Sequence, residues 1–214
     1  MRQPAGARPA SKLALAAAFA GGIAICSGGW LAWPGWPVES AAELMDAVLF
    51  GRDPIGGPFA LIDHTGAPRT DADFRDKLLL IYFGFTSCSD ACPIDLQSIA
   101  TALERLGPLA DAVQPLFITV DPEKDTPEQL KSYVAQFHPR LIGLTGTVRA
   151  IRDVERAYSV YAAKPASPQR DDPKVDHSSF VYIVDGTGRY VGYFQSGTSA
   201  DRMVEVIRQQ LSSS

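Results

Sequence analysis

The sequence predicts an α/β domain, a central mixed β-sheet flanked by helices, behind an N-terminal transmembrane helix. Three observations lead there. An uncharged stretch, Leu13–Trp33, follows a short basic segment. Beyond residue 50, apolar runs of strand length alternate with segments whose apolar residues recur every three or four positions. Near the C-terminus, two strand-like runs flank Asp185-Gly186-Thr187-Gly188, a hairpin signal. A chain of 214 residues fits one domain with an attachment better than two domains. Hydrophobic residues make up 46% and charged residues 21%, a globular balance that excludes wholesale disorder.

The first 50 residues read as an address and a tether. Residues 1–12 carry Arg2, Arg8 and Lys12 and form a basic cytoplasmic N-terminus; residues 13–33 form the transmembrane anchor. At about 1.5 Å rise per residue, a helix of that length covers the roughly 30 Å hydrocarbon core. The next charge is Glu39, so the basic end stays in the cytoplasm and everything after it faces outward. Trp30, Trp33 and Trp36 gather where the span ends, as an interfacial aromatic belt does. A cleaved signal peptide with its apolar region at Leu13–Ile25 is the competing reading, and Cys26 raises a lipoprotein cysteine as a third. All three export the domain. Pro34 and Pro37 break the helix, residues 34–50 form a linker, and the domain occupies 51–214. All 24 acidic residues and all but three of the 20 basic ones lie from Glu39 onward. The domain is therefore more acidic than the chain's net −4, and it lacks the basic face that nucleic-acid phosphates require.

Phe59–Ile62 reads as a strand running into the turn Asp63-His64-Thr65-Gly66. Leu78–Phe83 is an unbroken apolar and aromatic run, the mark of a strand buried on both faces. Leu96, Ile99, Ala100, Leu103 and Leu106 then trace one helix face, stopped by Gly107-Pro108. Val113–Val120 is the next strand. A helix starts at Asp125/Thr126-Pro127-Glu128 and carries Leu130, Tyr133, Val134 and Phe137 inward until Pro139 ends it. Leu141–Leu144 predicts a short strand, Val148–Tyr158 a helix and Val160–Ala163 an extended piece. A polar loop, Lys164–Asp176, leads to the hairpin strands Ser179–Val184 and Tyr190–Phe194. Met203, Val206, Ile207 and Leu211 mark a closing amphipathic helix. A βαβα half, then an antiparallel hairpin and a last helix, describes a thioredoxin-like layered fold.

The chemistry gathers at Cys88, Cys92 and His177. Thr86-Ser87-Cys88-Ser89-Asp90-Ala91-Cys92-Pro93 joins a central strand to a helix N-terminus, where ligands collect in open α/β sheets. Free N–H groups and the helix dipole there favour thiolate over thiol. Cys92 continues the stripe of Leu96, Ile99 and Leu103 back by one turn, so it is the sheltered sulfur and Cys88 the one nearer the surface. Three residues separate the cysteines, against two in thioredoxin-type redox pairs, and the longer loop leaves room for both sulfurs to hold one ion. An ordinary disulfide is the alternative in an exported domain. His177 opens the strand that begins at Ser179, in the loop where thioredoxin-like redox enzymes place a proline; no Pro follows Pro173 here. Two thiolates and an imidazole suit copper. Structural zinc would want a fourth protein ligand, and a blue-copper site two His and one Cys.

Other candidates carry lesser roles. His64 reads as a solvated turn histidine, His138 as a dipole partner at a helix end, and Asp90 as an N-cap or outer carboxylate. Asp121 and Asp125 read as residues that fix a turn and cap the next helix. Met1, Met45 and Met203 form no methionine-rich tract, and Cys26 sits in the membrane segment.

Tyr82-Phe83-Gly84-Phe85-Thr86-x-Cys88-x-Asp90-x-Cys92-Pro93 resembles the metal-binding signature of the Sco/SenC copper chaperones. Val120-Asp121-Pro122-Glu123-Lys124-Asp125-Thr126-Pro127 resembles their second block and Asp176-His177-Ser178 their third. Ser87 and Ser89 depart from the residues many relatives carry there. The resemblance implies copper, as Cu(I), Cu(II) or both, held by Cys88, Cys92 and His177. It also implies delivery to the copper-accepting subunit of a respiratory cytochrome c oxidase, with other copper chaperones and thiol reductants as further partners. The setting it implies is the bacterial cytoplasmic membrane, crossed once, with the domain on the periplasmic side. On this reading the protein is a metallochaperone rather than an enzyme. The alternative is an exported thiol–disulfide oxidoreductase that uses Cys88 and Cys92 as a redox pair to reduce the cysteines of a copper-accepting partner. His177 separates the two, because a pure reductase has no need of the imidazole. A peroxidase of related fold is a weaker third reading, since it needs one activated cysteine rather than a pair with a histidine.

Overall fold

The computed structural model describes residues 55–89, 91–163, 176–177 and 179–213. The basic N-terminus, the anchor with Cys26, the linker 34–50, Asp90, residues 164–175 and Ser178 lie outside the described residues. No helix among the described residues is long and apolar enough to cross a membrane. In chain order they form β1 (Ala60–Asp63), β2 (Pro68–Thr70), β3 (Leu78–Gly84), α1 (Ala91–Leu106), β4 (Val113–Thr119), α2 (Pro127–Val134), β5 (Ile142–Thr145), α3 (Val148–Ala157), β6 (Ala162–Ala163), β7 (Asp176–His177), β8 (Phe180–Val184), β9 (Tyr190–Gln195) and α4 (Ala200–Ser212).

The main sheet runs β2-β1-β5-β4-β3-β8-β9. Its middle strands β3, β4 and β5 are parallel, β1 lies antiparallel on β5, and β8 lies antiparallel on β3. β6 and β7 pair separately. Every residue of β3 is buried, so the strand needs cover on both faces. On one face, Leu78, Leu80 and Tyr82 pack with Leu96, Ile99 and Leu103 of α1, Leu130 and Val134 of α2, and Met203 and Ile207 of α4. On the other, the Phe83 ring meets Tyr158 at 5.5 Å and Tyr182 of β8 at 5.6 Å between centroids. The two-residue period of the strand thus sends Tyr82 toward α1 and Phe83 away from it.

Helix ends follow local chemistry. Thr126, Thr147 and Ser199 cap α2, α3 and α4 by accepting from Gln129, Ala150 and Arg202 N–H groups. α1 stops where Gly107 takes φ +57°, a left-handed turn that glycine adopts without strain.

Three differences from expectation have local causes. β2 and a 3₁₀ turn over Asp71–Phe74 were not predicted, because three residues beginning with Pro68 carry no two-residue period. The buried Asp63 carboxylate builds that hairpin, accepting from Thr65 N (2.8 Å), Thr65 Oγ1 (2.5 Å), Ala67 N (3.0 Å) and Arg69 Nε (2.8 Å). Burial alone would raise its pKa; the Thr65 and Arg69 hydrogen bonds outweigh that and hold it well below the usual carboxylate range. Finally, α2 ends at Val134 rather than reaching Phe137. Gln136 N and Phe137 N bond to Tyr133 O and Val134 O, a tightened last turn, and Phe137 still packs on the core.

Candidate metal centre

The two cysteines follow directly from the end of β3. Gly84 O accepts from Val120 N at 2.8 Å, which holds the ends of β3 and β4 together. Phe85 O then accepts from Cys88 N at 3.1 Å, folding a tight turn before α1 begins at Ala91. Neither cysteine is in a disulfide. Cys92 is fully buried in the apolar stripe of α1, whereas Cys88 is half-buried at the loop, as the helical spacing predicted.

Gly84 makes room for the buried sulfur. A Cβ there would stand 2.9 Å from Cys92 Sγ, 2.9 Å from the Phe117 ring and 3.1 Å from the Tyr82 ring. No side chain fits, so the sulfur rests against bare backbone.

The expected lowering of the thiol pKa at the helix N-terminus does not hold for Cys92. A hydrogen bond with Cys88 is the largest cause pushing the Cys92 thiol well above the usual cysteine pKa, followed by burial and the Cys88 charge. Hydrogen bonds with Phe85 N–H and the Tyr82 phenol pull the other way and lose. The helix-terminus effect falls off within one turn and does not overcome burial beside a second sulfur. Cys92 therefore keeps its proton until something displaces it. A soft cation does so, because the thiolate is the ligand.

Buried carboxylates brace the site from two sides. Asp125 accepts from Thr86 N (3.0 Å), Thr86 Oγ1 (2.6 Å) and Thr119 Oγ1 (2.6 Å), tying the loop before Cys88 to the end of β4. Its expected role as a helix cap is corrected: Thr126 caps α2, and Asp125 turns back to the cysteine loop. Asp121 contributes its backbone, its carbonyl accepting from Lys124 N and Asp125 N. Asp95, three residues after Cys92, is fully buried and accepts from Ser196 Oγ and Gly197 N, both at 2.8 Å. It pins the turn between β9 and α4 onto the cysteine helix. An acid inside the apolar stripe of α1 was the available signal for it, and sequence reasoning passed over it.

Histidine placement divides cleanly. His64 and Gly143 form a two-way clip, with His64 N donating to Gly143 O and His64 Nδ1 accepting from Gly143 N. It is half-buried structure rather than a solvated turn side chain. His138 Nδ1 accepts from Arg140 N at 3.1 Å. Neither joins the cysteines. His177 lies in β7, its backbone paired with Ala162, three residues ahead of β8. Because β8 opposes β3 with Val181 against Tyr82, the chain leaving His177 enters the sheet at the end from which the cysteine loop departs. Among the described residues no group of three or more His, Cys, Asp or Glu stands ready around a metal. The described part of the centre is a two-sulfur nucleus, and two soft sulfurs, that of Cys92 seated on the bare backbone of Gly84, fit a soft ion.

Comparison with known proteins follows the same lines. The SCO1/SenC family model matches residues 49–212. Protein sco1 of Schizosaccharomyces pombe is 40% identical over 76% of this chain, which spans 64% of that relative's length. The SCO2-like protein RP587 of Rickettsia prowazekii is 44% identical, covering 73% of this chain and 77% of its own. Copper-bound ScoI of Arabidopsis thaliana superposes with a TM-score of 0.70 at 37% identity, covering 75% of this chain and 99% of its own. With the cysteine loop, the braced second block and the strand entered from His177 all inside the matched span, the chain belongs to the SCO1/SenC family.

Proposed function

We propose that this chain binds copper and serves as a metallochaperone for the assembly of a respiratory cytochrome c oxidase. The observation that carries the reading is the pair of reduced cysteines just beyond β3, one of them seated against Gly84 where no side chain fits. Copper-bound ScoI, with the same fold at 37% identity, supports copper as the cargo. Cys88 and Cys92 supply two thiolates and His177 the third ligand in this proposal, a donor set that suits Cu(I) and, with an added oxygen ligand, Cu(II). A three-ligand donor set also suits a carrier, since a fourth ligand from an acceptor can enter before the donor's leave.

The proposal extends to location. Residues 13–33 act as a single-pass anchor and hold the domain on the extracytoplasmic side, supported by the charge asymmetry of the sequence. The second reading, a thiol–disulfide reductase, draws on one observation: the two thiols are hydrogen-bonded to each other and could close into a disulfide.

Copper transfer separates the readings. Copper-loaded full chain is mixed with a reduced, metal-free copper-accepting oxidase domain, and copper on each protein is measured. Transfer from wild type, absent with His177→Ala, is expected of the chaperone. If oxidised acceptor is reduced equally well by wild type and His177→Ala and no copper moves, the reductase reading replaces it.

A further inference from the structure

Tyr133 of α2 presents a buried hydroxyl with no hydrogen-bond partner among the described residues. Its residue is 9% exposed, its ring lies 5.3 Å from Phe117 and 5.2 Å from Phe137 between centroids, and its oxygen is sealed from solvent. No hydrogen-bond partner meets that oxygen among the described residues. Phenylalanine would make the same ring contacts without it. A buried hydroxyl left unpaired costs free energy comparable with a lost hydrogen bond, so a purely structural tyrosine here is a poor choice.

The surroundings say what the hydroxyl waits for. Phe117, which the Tyr133 ring touches, lines the same glycine gap at Gly84 as Cys92 Sγ. Burial first, and then the charges of Cys92, Cys88 and Asp125, push its phenol above the usual tyrosine value, so the cysteine pair lies within electrostatic reach of the hydroxyl. Asp125 already accepts three hydrogen bonds. The sulfurs are different. As thiols they are weak acceptors, whereas metal binding turns them into thiolates, which accept strong charge-assisted hydrogen bonds.

We propose that the Tyr133 hydroxyl donates a hydrogen bond to a copper-bound thiolate of the Cys88/Cys92 pair, as a positioning residue that acts only in the loaded protein. The inference rests on the copper-binding reading and deepens it. The bond holds one sulfur in the orientation that binding requires and draws electron density from it. Loss of such an outer partner typically lowers metal affinity 10- to 100-fold. It also raises the energy of the sulfur electrons, which moves sulfur-to-Cu(II) charge transfer to longer wavelength.

The test compares wild type with Tyr133→Phe as reduced full chain. Three quantities are read: unfolding of the metal-free form, Cu(I) affinity against a competing chelator, and the charge-transfer band of the Cu(II) form. The expected result is a metal-free protein at least as stable as wild type, copper affinity lower by about tenfold, and a red-shifted band. Unchanged affinity with an unmoved band would overturn the proposal while wild-type copper binding stood. A metal-free variant that is itself destabilised, with the band unmoved, would also overturn it and make Tyr133 a packing residue. Failure of the wild type to bind copper would remove the copper reading first and this proposal with it.

Discussion

Replacing Asp125 by Ala tests the brace beneath the cysteine loop. The residue is 2% exposed and its carboxylate accepts three hydrogen bonds, from Thr86 N at 3.0 Å and from Thr86 Oγ1 and Thr119 Oγ1 at 2.6 Å each. Bonds to a charged acceptor contribute about 1.5–3 kcal/mol each. The three do not simply add, because the threonine hydroxyls can turn to other partners. Thr86 N–H cannot turn, and Thr119 is fully buried, so the loss is about 3–4 kcal/mol. For a domain of this size, that lowers Tm by about 10 °C. Asp125→Asn should be far milder, costing about 1 kcal/mol. Its amide oxygen can replace Oδ2 and keep two of the bonds, while its NH₂ donates to Thr86 Oγ1, reversing the third. Thermal unfolding of the reduced, metal-free protein reads both variants, and copper competition shows whether the loosened loop also weakens binding. An Ala variant within about 2 °C of wild type would refute the reasoning, as would an Asn variant as damaged as Ala.

Gly84→Ala should cost about 1–3 kcal/mol in stability and weaken copper binding more than any control substitution on the far face of β3, because the new methyl displaces Cys92 Sγ, the Phe117 ring or the Tyr82 ring; wild-type affinity in that variant would contradict the seat. The reduced, metal-free protein should lose stability as pH rises past about 8.5, the unfolded cysteine value. The sign follows from the raised Cys92 pKa: the folded form keeps a proton that the unfolded form releases, so stability is complete below that pH and falls above it by up to about 1.4 kcal/mol per pH unit. Cys92→Ala should remove this part of the alkaline slope in denaturation curves taken from pH 7 to 10. Copper and disulfide should exclude one another, so oxidised protein takes up copper only after reduction, and copper-loaded protein resists alkylation at Cys88 and Cys92. Thiol counting with metal analysis on the same samples checks it.

Where one residue type or one spacing carries the physics, the sequence was legible. Leu78–Phe83 reads as a doubly buried strand because nothing polar interrupts it, and β3 is that strand with Gly84 added. The different burial of Cys88 and Cys92 followed from helical spacing alone. The hairpin β8–β9 followed from Asp185-Gly186-Thr187-Gly188. What escaped was chemistry between distant residues. Asp125 meets Thr86 across 39 positions, and Asp95 meets Gly197 across 102. No local pattern distinguishes a carboxylate that caps the next helix from one that folds back onto an earlier loop. The raised Cys92 pKa is invisible in the sequence for the same reason. A helix N-terminus is visible in sequence, whereas the hydrogen bond with a second sulfur and the depth of burial that outweigh it are not. Gly84 stood in the signature, but its reason, the close approach of a sulfur and two rings, needs coordinates.

The central claim is that Cys88, Cys92 and His177 hold one copper ion. X-ray absorption on the copper-loaded full chain, prepared reduced and without oxygen, tests it most directly. Two sulfur scatterers and one imidazole around copper are predicted for wild type, at one copper per chain. His177→Ala should lose the imidazole and keep both sulfurs, while Cys88→Ser or Cys92→Ser should hold no stable copper. His64→Ala and His138→Ala should match wild type. A spectrum that His177→Ala leaves unchanged, or full copper retention in Cys92→Ser, would contradict the account.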